Sequence, residues 1–224
     1  MLSHPADLAR PEPRWPAIVA AFSAVALHFA LPDALRVGPS WVLAIMVTIL
    51  ALAAHIFRAL DMHRENSAMG YGILLLLAGG LLYGVVMLML SLVHHSEGAI
   101  SVLRSATVLW VTNIIVFAAW YWRLDAGGPN ERERRDAHTR GAFLFPQMTM
   151  TTESAVACGS TLAEQTSWRP SFVDYLFLAF NTSTAFSPTD VPVLSGWAKL
   201  TMMLQASISL TTVVLLAGRA VNIL

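Results

Sequence analysis

Residues 181–190 place several oxygen-bearing side chains directly after a short apolar stretch. They begin with the run Asn-Thr-Ser-Thr and close with Ala-Phe-Ser-Pro-Thr-Asp, and we call this segment the polar elbow. Hydroxyl and carboxylate oxygens can take the place of water around a small cation, and carboxylates favour cations over anions. The oxygen-bearing candidates for such contacts are Thr182, Ser183, Thr184, Ser187, Thr189 and Asp190.

The stretch before the polar elbow is too short to cross a membrane. Residues 172–180 are mainly apolar but number only nine, whereas a bilayer core takes about 20 residues of helix. Ser171 is typical of a helix N-cap, and Asp174 lies in the first turn, where the helix dipole favours a carboxylate. The Ser-Pro pair at residues 187–188 stops a helix, and the Thr-Asp-Val-Pro that overlaps the end of the elbow predicts a turn.

A short helix, the polar elbow and a full-length span after them predict a re-entrant hairpin. Non-helical backbone at membrane depth is tolerated only where protein or a water-filled cavity surrounds it. The hairpin therefore implies an oligomeric interface or a pore.

The composition of the whole chain indicates an integral membrane protein. Of its 224 residues, 56% are hydrophobic and 12% are charged, against about 45–50% and about 25% in soluble domains. The formal net charge of zero argues against a nucleic-acid partner. The single cysteine, Cys158, excludes an intrachain disulfide and has no companions at zinc-ligand spacing. No catalytic or phosphate-binding motif is present, so we expect no enzyme activity, no cofactor and no metal site.

Five apolar runs predict an all-α, polytopic transmembrane helical protein with about five spans and a C-terminal re-entrant hairpin. The first run is the shortest. It follows two arginines but lacks the small-residue cleavage pattern of a signal peptide, so we expect it to be retained. The runs cover residues 15–31, 41–60, 71–93, 102–122 and 198–224.

A long polar interval separates the fourth and fifth runs. Its Gly-Gly-Pro at residues 127–129 predicts the end of the fourth helix, and the charged stretch around it predicts a solvated loop. The Thr- and Ser-rich remainder shows no helical or strand period and is expected to be a surface excursion. The predicted organisation is a four-span bundle at residues 1–122, a polar connecting loop at residues 123–170 and a hairpin module at residues 171–224.

The sequence TAFSPTD at residues 184–190 aligns without gaps with the TTVGYGD selectivity filter of potassium channels. The preceding DYLFLAFNTS resembles a pore helix of that superfamily, and the last apolar run with its Gly-Arg resembles an inner helix. For the module at residues 171–224, this resemblance implies an ion channel with a pore loop, a homotetramer and monovalent cations. The whole chain, including TNIIVFAAWYWRLDAGGP at residues 112–129, resembles an uncharacterised bacterial family of multi-span membrane proteins. That resemblance implies a location in a bacterial inner membrane.

The filter-like segment departs from potassium channels where their two glycines lie. Ser187, Pro188 and Thr189 replace Gly-Tyr-Gly, whose glycines supply backbone angles that other residues avoid. Pro188 fixes its own φ and biases Ser187 toward extended backbone, so the potassium-type ladder of carbonyls is not expected. Instead, hydroxyls with a ring of Asp190 carboxylates would form a wider cation pathway, and Phe186 would act as a dewetting gate. The expected pore-lining residues are Thr182, Ser183, Thr184, Ala185, Phe186, Ser187, Pro188, Thr189 and Asp190.

Two alternatives stay open. The first is a scaffold or assembly protein that keeps the hairpin without conduction, with Phe186 and Pro188 closing the elbow. The second concerns orientation. The distribution of Lys and Arg predicts a cytoplasmic N-terminus, whereas a hairpin that enters from outside, as in potassium channels, requires the opposite after four spans.

Polar and aromatic residues within the spans give further expectations. His28 and His55 indicate either a proton or ion path or hydrogen bonds to a neighbouring helix. Asn113 is expected to bind a neighbouring helix through its amide. Four aromatic residues of the fourth span are expected to be anchors at the membrane surface. They are Trp110, Trp120, Tyr121 and Trp122.

Overall fold

The computed structural model describes residues 12–93, 98–135, 138, 141–150, 168–184 and 190–221. Within these ranges the regular secondary structure is helical, apart from one isolated β-bridge between Phe143 and Val193. The predicted all-α fold is confirmed. The helices are α1 (Trp15–Phe29), α2 (Ser40–Ala59), α3 (His63–Val93), α4 (Ala99–Leu124), α5 (Pro129–Glu133), α6 (Pro146–Thr149), α7 (Phe172–Thr184) and α8 (Gly196–Val221), with 3-10 turns at Asp33–Leu35 and Asp125–Gly127.

The chain is an integral membrane protein by the length and composition of its helices. Among the described residues, four segments are long and apolar enough to cross a membrane: Ser40–Ala59, His63–Ser91, Ile100–Gly127 and Gly196–Gly218. Helix α1 has 15 residues, and at 1.5 Å per residue it is about 22 Å long, less than the hydrocarbon core of about 30 Å. The expected polytopic helical protein is confirmed: four described segments have the length of a span, and the first of the about five expected spans is the shorter apolar helix α1.

Helix α4 lies at the centre of the fold. It packs against α1, α3, α7 and α8, and half of its apolar span is buried, against 6% for α2. Its buried surface includes the small side chains Ala106, Ala118 and Ala119. Small residues let helices approach closely in a membrane, where packing rather than water exclusion holds them together.

The beginning of α1, the loop between α2 and α3 and the end of α4 meet at one end of the bundle. Arg14 before α1 and Arg58 at the end of α2 both lie near Glu133 of α5, with N–O distances of 3.1 and 3.7 Å. Arg123 at the end of α4 donates hydrogen bonds to the carbonyls of Asn66 and Ser67 in α3. We call this the basic end. The described Lys and Arg side chains here are Arg14, Arg58, Arg64, Arg123, Arg132, Arg134, Arg135, Arg169 and Lys199, whereas Arg36 and Arg104 lie at the opposite end.

Helix α7 runs from the basic end to the middle of α4. Tyr175 in its first turn donates a hydrogen bond of 2.7 Å to Asp125, beside the end of α4. Ser183 near its other end contacts Asn113, halfway along α4. Residues 191–194 are back at the basic end, because the Leu144 amide bonds the Pro192 carbonyl at 3.0 Å and the Leu194 amide bonds the Ala142 carbonyl at 2.8 Å. Helices α7 and α8 therefore begin at the same end and run parallel.

The predicted start of α7 is confirmed, and its end lies further along the chain than the apolar stretch. The carboxylate of Asp174 accepts hydrogen bonds of 2.7 Å from both the amide and the hydroxyl of Ser171. The hydroxyls of Thr182 and Thr184 donate to carbonyls four residues earlier, at 2.8 and 2.9 Å. The first four residues of the polar elbow are therefore helical, and these bonds are the way in which Thr hydroxyls find an acceptor within a helix.

The prediction of a solvated loop in the polar interval is wrong for the described residues closest to α4. The Gly-Gly-Pro does end the helix, and Gly127 and Gly128 have φ of 84° and 89°. Four of the charged and polar side chains around it are buried, however, because each finds a partner within the fold. They are Arg123, Asp125, Asn130 and Arg132. Phe143 and Phe145 of the expected surface excursion are also buried, in an aromatic cluster with Tyr121 and Tyr175.

Candidate functional site

The structure describes four of the nine expected pore-lining residues. Thr182 is half-buried, Ser183 is 1% exposed, and Thr184 and Asp190 are exposed. Thr182 to Thr184 lie in the last turn of α7, and Asp190 lies at the basic end, next to the segment that bonds Ala142 and Leu144. Ala185, Phe186, Ser187, Pro188 and Thr189 lie outside the described residues.

Ser183 belongs to a group of uncharged side chains between α4, α7 and α8, which we call the mid-depth cluster. Its members are Asn113, Tyr121, Ser183, Gln205 and Ser209, all at most 1% exposed. The amide of Gln205 donates to the carbonyl of Ala179 at 2.7 Å and to the hydroxyl of Ser183 at 2.8 Å. The hydroxyl of Tyr121 donates to the side-chain oxygen of Gln205. One side chain of α8 thus binds both of its neighbouring helices.

Ser209 and Asn113 complete the mid-depth cluster. The Ser209 hydroxyl donates to the carbonyl of Ser183 at 2.6 Å and accepts the indole N–H of Trp110 at 3.0 Å. The Asn113 amide donates to the carbonyl of Gln205 at 3.2 Å and lies 3.5 Å from the Ser183 hydroxyl. The expected role of Asn113 as an interhelical hydrogen-bond donor agrees with this geometry. The end of α7 is therefore fixed to both long helices that flank it.

The expectation that aromatic residues of α4 are surface anchors is wrong for two of them. Tyr121 and Trp122 are buried, the former by the mid-depth cluster and Phe143, the latter by Phe172 and Arg132. The polar interval folds back over the end of α4 and covers them. In the sequence, Tyr121 and Trp122 lie between an apolar run and charged residues, which is the pattern of aromatic residues at a membrane surface.

Charged residues form a second buried group at the basic end, around Arg132. Its guanidinium binds both carboxylate oxygens of Glu12, at 3.0 and 2.8 Å, and donates to the carbonyls of Trp122 and Asp125 at 2.8 Å each. Burial alone lowers the pKa of Arg132. The hydrogen bonds to Glu12 and the attraction of Tyr175, Glu12 and Asp125 outweigh that effect and raise the pKa above its ordinary value. Arg132 therefore stays charged inside the protein.

Asp125 connects this group to the start of α7. One carboxylate oxygen accepts the amide N–H of Ala142 at 2.5 Å, and the other accepts the Tyr175 hydroxyl. The imidazole Nε2 of His138 lies 3.0 Å from the same oxygen as Tyr175. An alanine in place of Gly141 would bring its Cβ within 2.6 Å of that imidazole nitrogen. The arrangement holds the loop at residues 141–145 and α7 in place, and the Asp125 side chain is fully buried.

Sequence reasoning missed Gln205, Ser209 and the buried role of Arg132. Gln205 had a signal, since it is an amide in the middle of an apolar span and such residues usually bind another helix. Arg132 had none, because its partner Glu12 is 120 residues away in the chain. Of the two histidines, His28 is buried and its Nε2 has no hydrogen-bond partner among the described residues, while His55 is exposed.

The described residues contain no group of three or more His, Cys, Asp and Glu side chains that could hold a metal ion. Comparisons of the chain with protein-family models, with curated proteins and with solved structures find no match. The resemblance of residues 171–224 to a potassium-channel pore therefore stays a prediction that rests on sequence motifs.

Proposed function

We propose that this chain is the subunit of an oligomeric, channel-like membrane protein, a tetramer by the potassium-channel resemblance. A cation pathway follows the shared axis and is lined by residues 182–190. The pathway is wider than a potassium filter and selects cations by charge, through hydroxyls and the Asp190 carboxylates.

The parallel course of α7 and α8 is the observation that carries this proposal. A helix of 13 residues, about 20 Å long, ends in the middle of the bundle and points its C-terminus there. The C-terminal end of a helix carries partial negative charge, which favours a cation. The chain is back at the basic end by residue 191, as a re-entrant hairpin requires.

Exposure of Thr184 supports assembly of several copies. Thr184 lies at the surface of the single chain, beside the exposed side chain of Phe180 and halfway along the span. Polar backbone at this depth needs protein or water around it. Helix α8 presents an exposed face that a neighbouring copy can cover, formed by Leu200, Met203, Leu204, Ser207, Leu210 and Val214.

The hairpin opens toward the basic end, so the side of the membrane from which it enters depends on the orientation of that end. If the positive-inside rule holds, the basic end is cytoplasmic. The hairpin then enters from the cytoplasm, on the side opposite to that of potassium channels.

A non-conducting scaffold is the alternative, and one observation favours it. The hydroxyls of Thr182, Ser183 and Thr184 are bound within the chain, to carbonyls of α7 or to Gln205. The Ser183 oxygen accepts the Gln205 amide and is available to an ion only if that bond is lost or exchanged. The hydroxyls of Thr182 and Thr184 donate and keep their acceptor lone pairs. In the scaffold, the same hairpin serves assembly alone.

Cation flux into liposomes that contain the reconstituted full chain separates these two functions. We expect K⁺ or Na⁺ flux without Cl⁻ flux, and block of this flux when Thr184→Cys, in a Cys158→Ser background, reacts with a charged thiol reagent. Leu75→Cys, which is exposed on α3, is the matched control and should leave the flux unchanged. Absence of flux from an intact oligomer would contradict the channel and favour the scaffold.

A further inference from the structure

A groove with a cavity of about 130 Å³ lies between α1, α2, α3 and α4. Its walls are mainly apolar, and Ala17 and Ala21 of α1 face Ala51 and Ala54 of α2 across it. These positions repeat every three or four residues, so each helix presents one continuous face to the groove. Alanines on both faces leave the space open, and the neighbouring Ile18 and Phe22 are exposed where the membrane would lie.

The groove ends among arginines at the basic end. Arg14, Arg58 and Arg123 line it there. Within the described residues, the carboxylate that forms ion pairs with these arginines is that of Glu133, which pairs with both Arg14 and Arg58. Arg123 is buried, donates to two backbone carbonyls and lies over the ring of Tyr71. Glu12 also attracts Arg14, but its carboxylate is bound by Arg132. The three guanidinium groups therefore share one paired carboxylate, Glu133, and leave an excess of positive charge at the end of an apolar groove.

Unused hydrogen-bond donors lie at the same place. The Nε and Nη1 atoms of Arg14 and the Nδ2 atom of Asn66 are buried and have no hydrogen-bond partner among the described residues. Both residues line the groove, and Asn66 is only 4% exposed. All three atoms are donors. Buried donors normally find an acceptor, and an anionic oxygen group that offers only acceptors is complementary to this set.

We propose that the groove binds an anionic phospholipid. Its phosphate lies among Arg14, Arg58 and Asn66, and an acyl chain lies between the alanine faces of α1 and α2. A lipid fits better than a soluble anion because the apolar walls continue from the charged end toward the exposed side chains of α1. Basic sites between transmembrane helices bind such headgroups through the same combination of charge and apolar contact. The site is separate from α7 and α8, so it does not depend on conduction.

Lipid binding to the purified full chain in detergent tests the proposal, with native mass spectrometry for stoichiometry and thermal unfolding for the effect on the protein. We expect phosphatidylglycerol to bind and raise Tm, and phosphatidylcholine or inorganic phosphate to have a much smaller effect. Arg58→Gln should weaken phosphatidylglycerol binding about fivefold, as expected for removal of one basic residue near an anionic headgroup. Ala54→Leu should weaken binding as well, since it fills the groove and changes no charge.

Two matched variants control for changes elsewhere. Arg64→Gln removes an exposed charge at the same end, and Ala53→Leu adds the same volume to α2 outside the groove. Both should bind phosphatidylglycerol like the natural chain. Equal binding of phosphatidylcholine would overturn the charge recognition, and a response to inorganic phosphate equal to that of the lipid would overturn the acyl-chain contact. Unchanged binding by folded Arg58→Gln and Ala54→Leu proteins would place the lipid elsewhere.

Discussion

The mid-depth cluster and the group around Arg132 bury polar side chains in different ways. The first consists of neutral amides and hydroxyls between three helices, from Asn113 halfway along α4 to Tyr121 near its end. The second consists of ions and carbonyls at the end of the bundle, where α4 has just ended. Both lie within the protein, but only the second includes residues beyond the end of α4.

This difference follows from the cost of desolvation. An ion buried without a partner is far more costly than a neutral amide or hydroxyl. The charged group is tolerated because Arg132 meets a carboxylate and two carbonyls at once, whereas at mid-depth neutral groups suffice to connect the helices. The charged group should therefore be the more sensitive to loss of one member, and the following variants test this ranking.

Arg132→Leu is expected to have the largest effect. It leaves the Glu12 carboxylate and two carbonyls without their donor, and breaking a buried ion pair costs about 3–5 kcal/mol. Unfolding of the reconstituted chain, followed by circular dichroism in mixed micelles, measures the loss. Arg134→Gln breaks a pair with Glu131 whose side chains are about half exposed, and should cost at most about 1 kcal/mol. Equal losses for both would show that the buried group is not special.

Gln205→Leu should have the next largest effect. It removes the donor to Ala179 and Ser183 and the acceptor of the Tyr121 hydroxyl, and a buried polar group left unpaired costs about 1–3 kcal/mol. The same unfolding experiment measures it. If Gln205→Leu proved as costly as Arg132→Leu, the distinction between neutral and charged groups would fail.

Gly70→Ala tests how firmly the Arg123 guanidinium is held at the basic end. Arg123 has no carboxylate partner among the described residues. The added Cβ would lie 2.5 Å from Cζ of Arg123. Overpacking costs about 1–3 kcal/mol, and the better helix propensity of alanine offsets up to about 1 kcal/mol of that. Gly72→Ala, whose Cβ would meet a Leu50 methyl at an ordinary 3.5 Å, should be neutral or stabilising. A Gly70→Ala protein as stable as the Gly72→Ala protein would mean that Arg123 moves aside freely.

Ser209→Ala should have the smallest effect. It removes hydrogen bonds to Ser183 and from Trp110, and such interhelical bonds contribute about 0.6 kcal/mol on average in membranes. Ser207→Ala is the control, because the hydroxyl of Ser207 is exposed and bonds the carbonyl of Met203 in its own helix. We expect the free energies of unfolding of Ser209→Ala and Ser207→Ala to differ by less than those of Arg132→Leu and Arg134→Gln.

The parts of this fold that depend on near neighbours in the chain are predictable from sequence. Ser171 and Asp174 set the start of α7, and Gly127 and Gly128 end α4, because caps and turns involve residues a few positions apart. The burial of Arg132 is not predictable in the same way, since its cost is offset by Glu12 from the beginning of the chain. Composition alone therefore assigns its segment to solvent.

In the candidate site, too, the local features are predictable from sequence and the contacts between distant residues are not. The polar character of residues 182–190 and the short helix before them can be read from the sequence. That Ser183 binds Gln205 and Ser209 depends on the stagger of α7 against α8, which no local pattern encodes. The first span also shows the limit of hydropathy, because Pro32 and Asp33 follow closely on its apolar run and α1 ends at Phe29.

Ala179 and Ser183 of α7 are each bound by the residue 26 positions later, Gln205 and Ser209. The two pairs are four residues apart, about one helical turn, so together they fix the position of α7 along the axis of α8. The depth at which α7 ends is then set by its hydrogen bonds to α8 and not by the length of the chain that joins the two helices. We therefore expect insertions or substitutions at residues 185–189 to leave the position of the α7 C-terminus unchanged, whatever side chains they place after it.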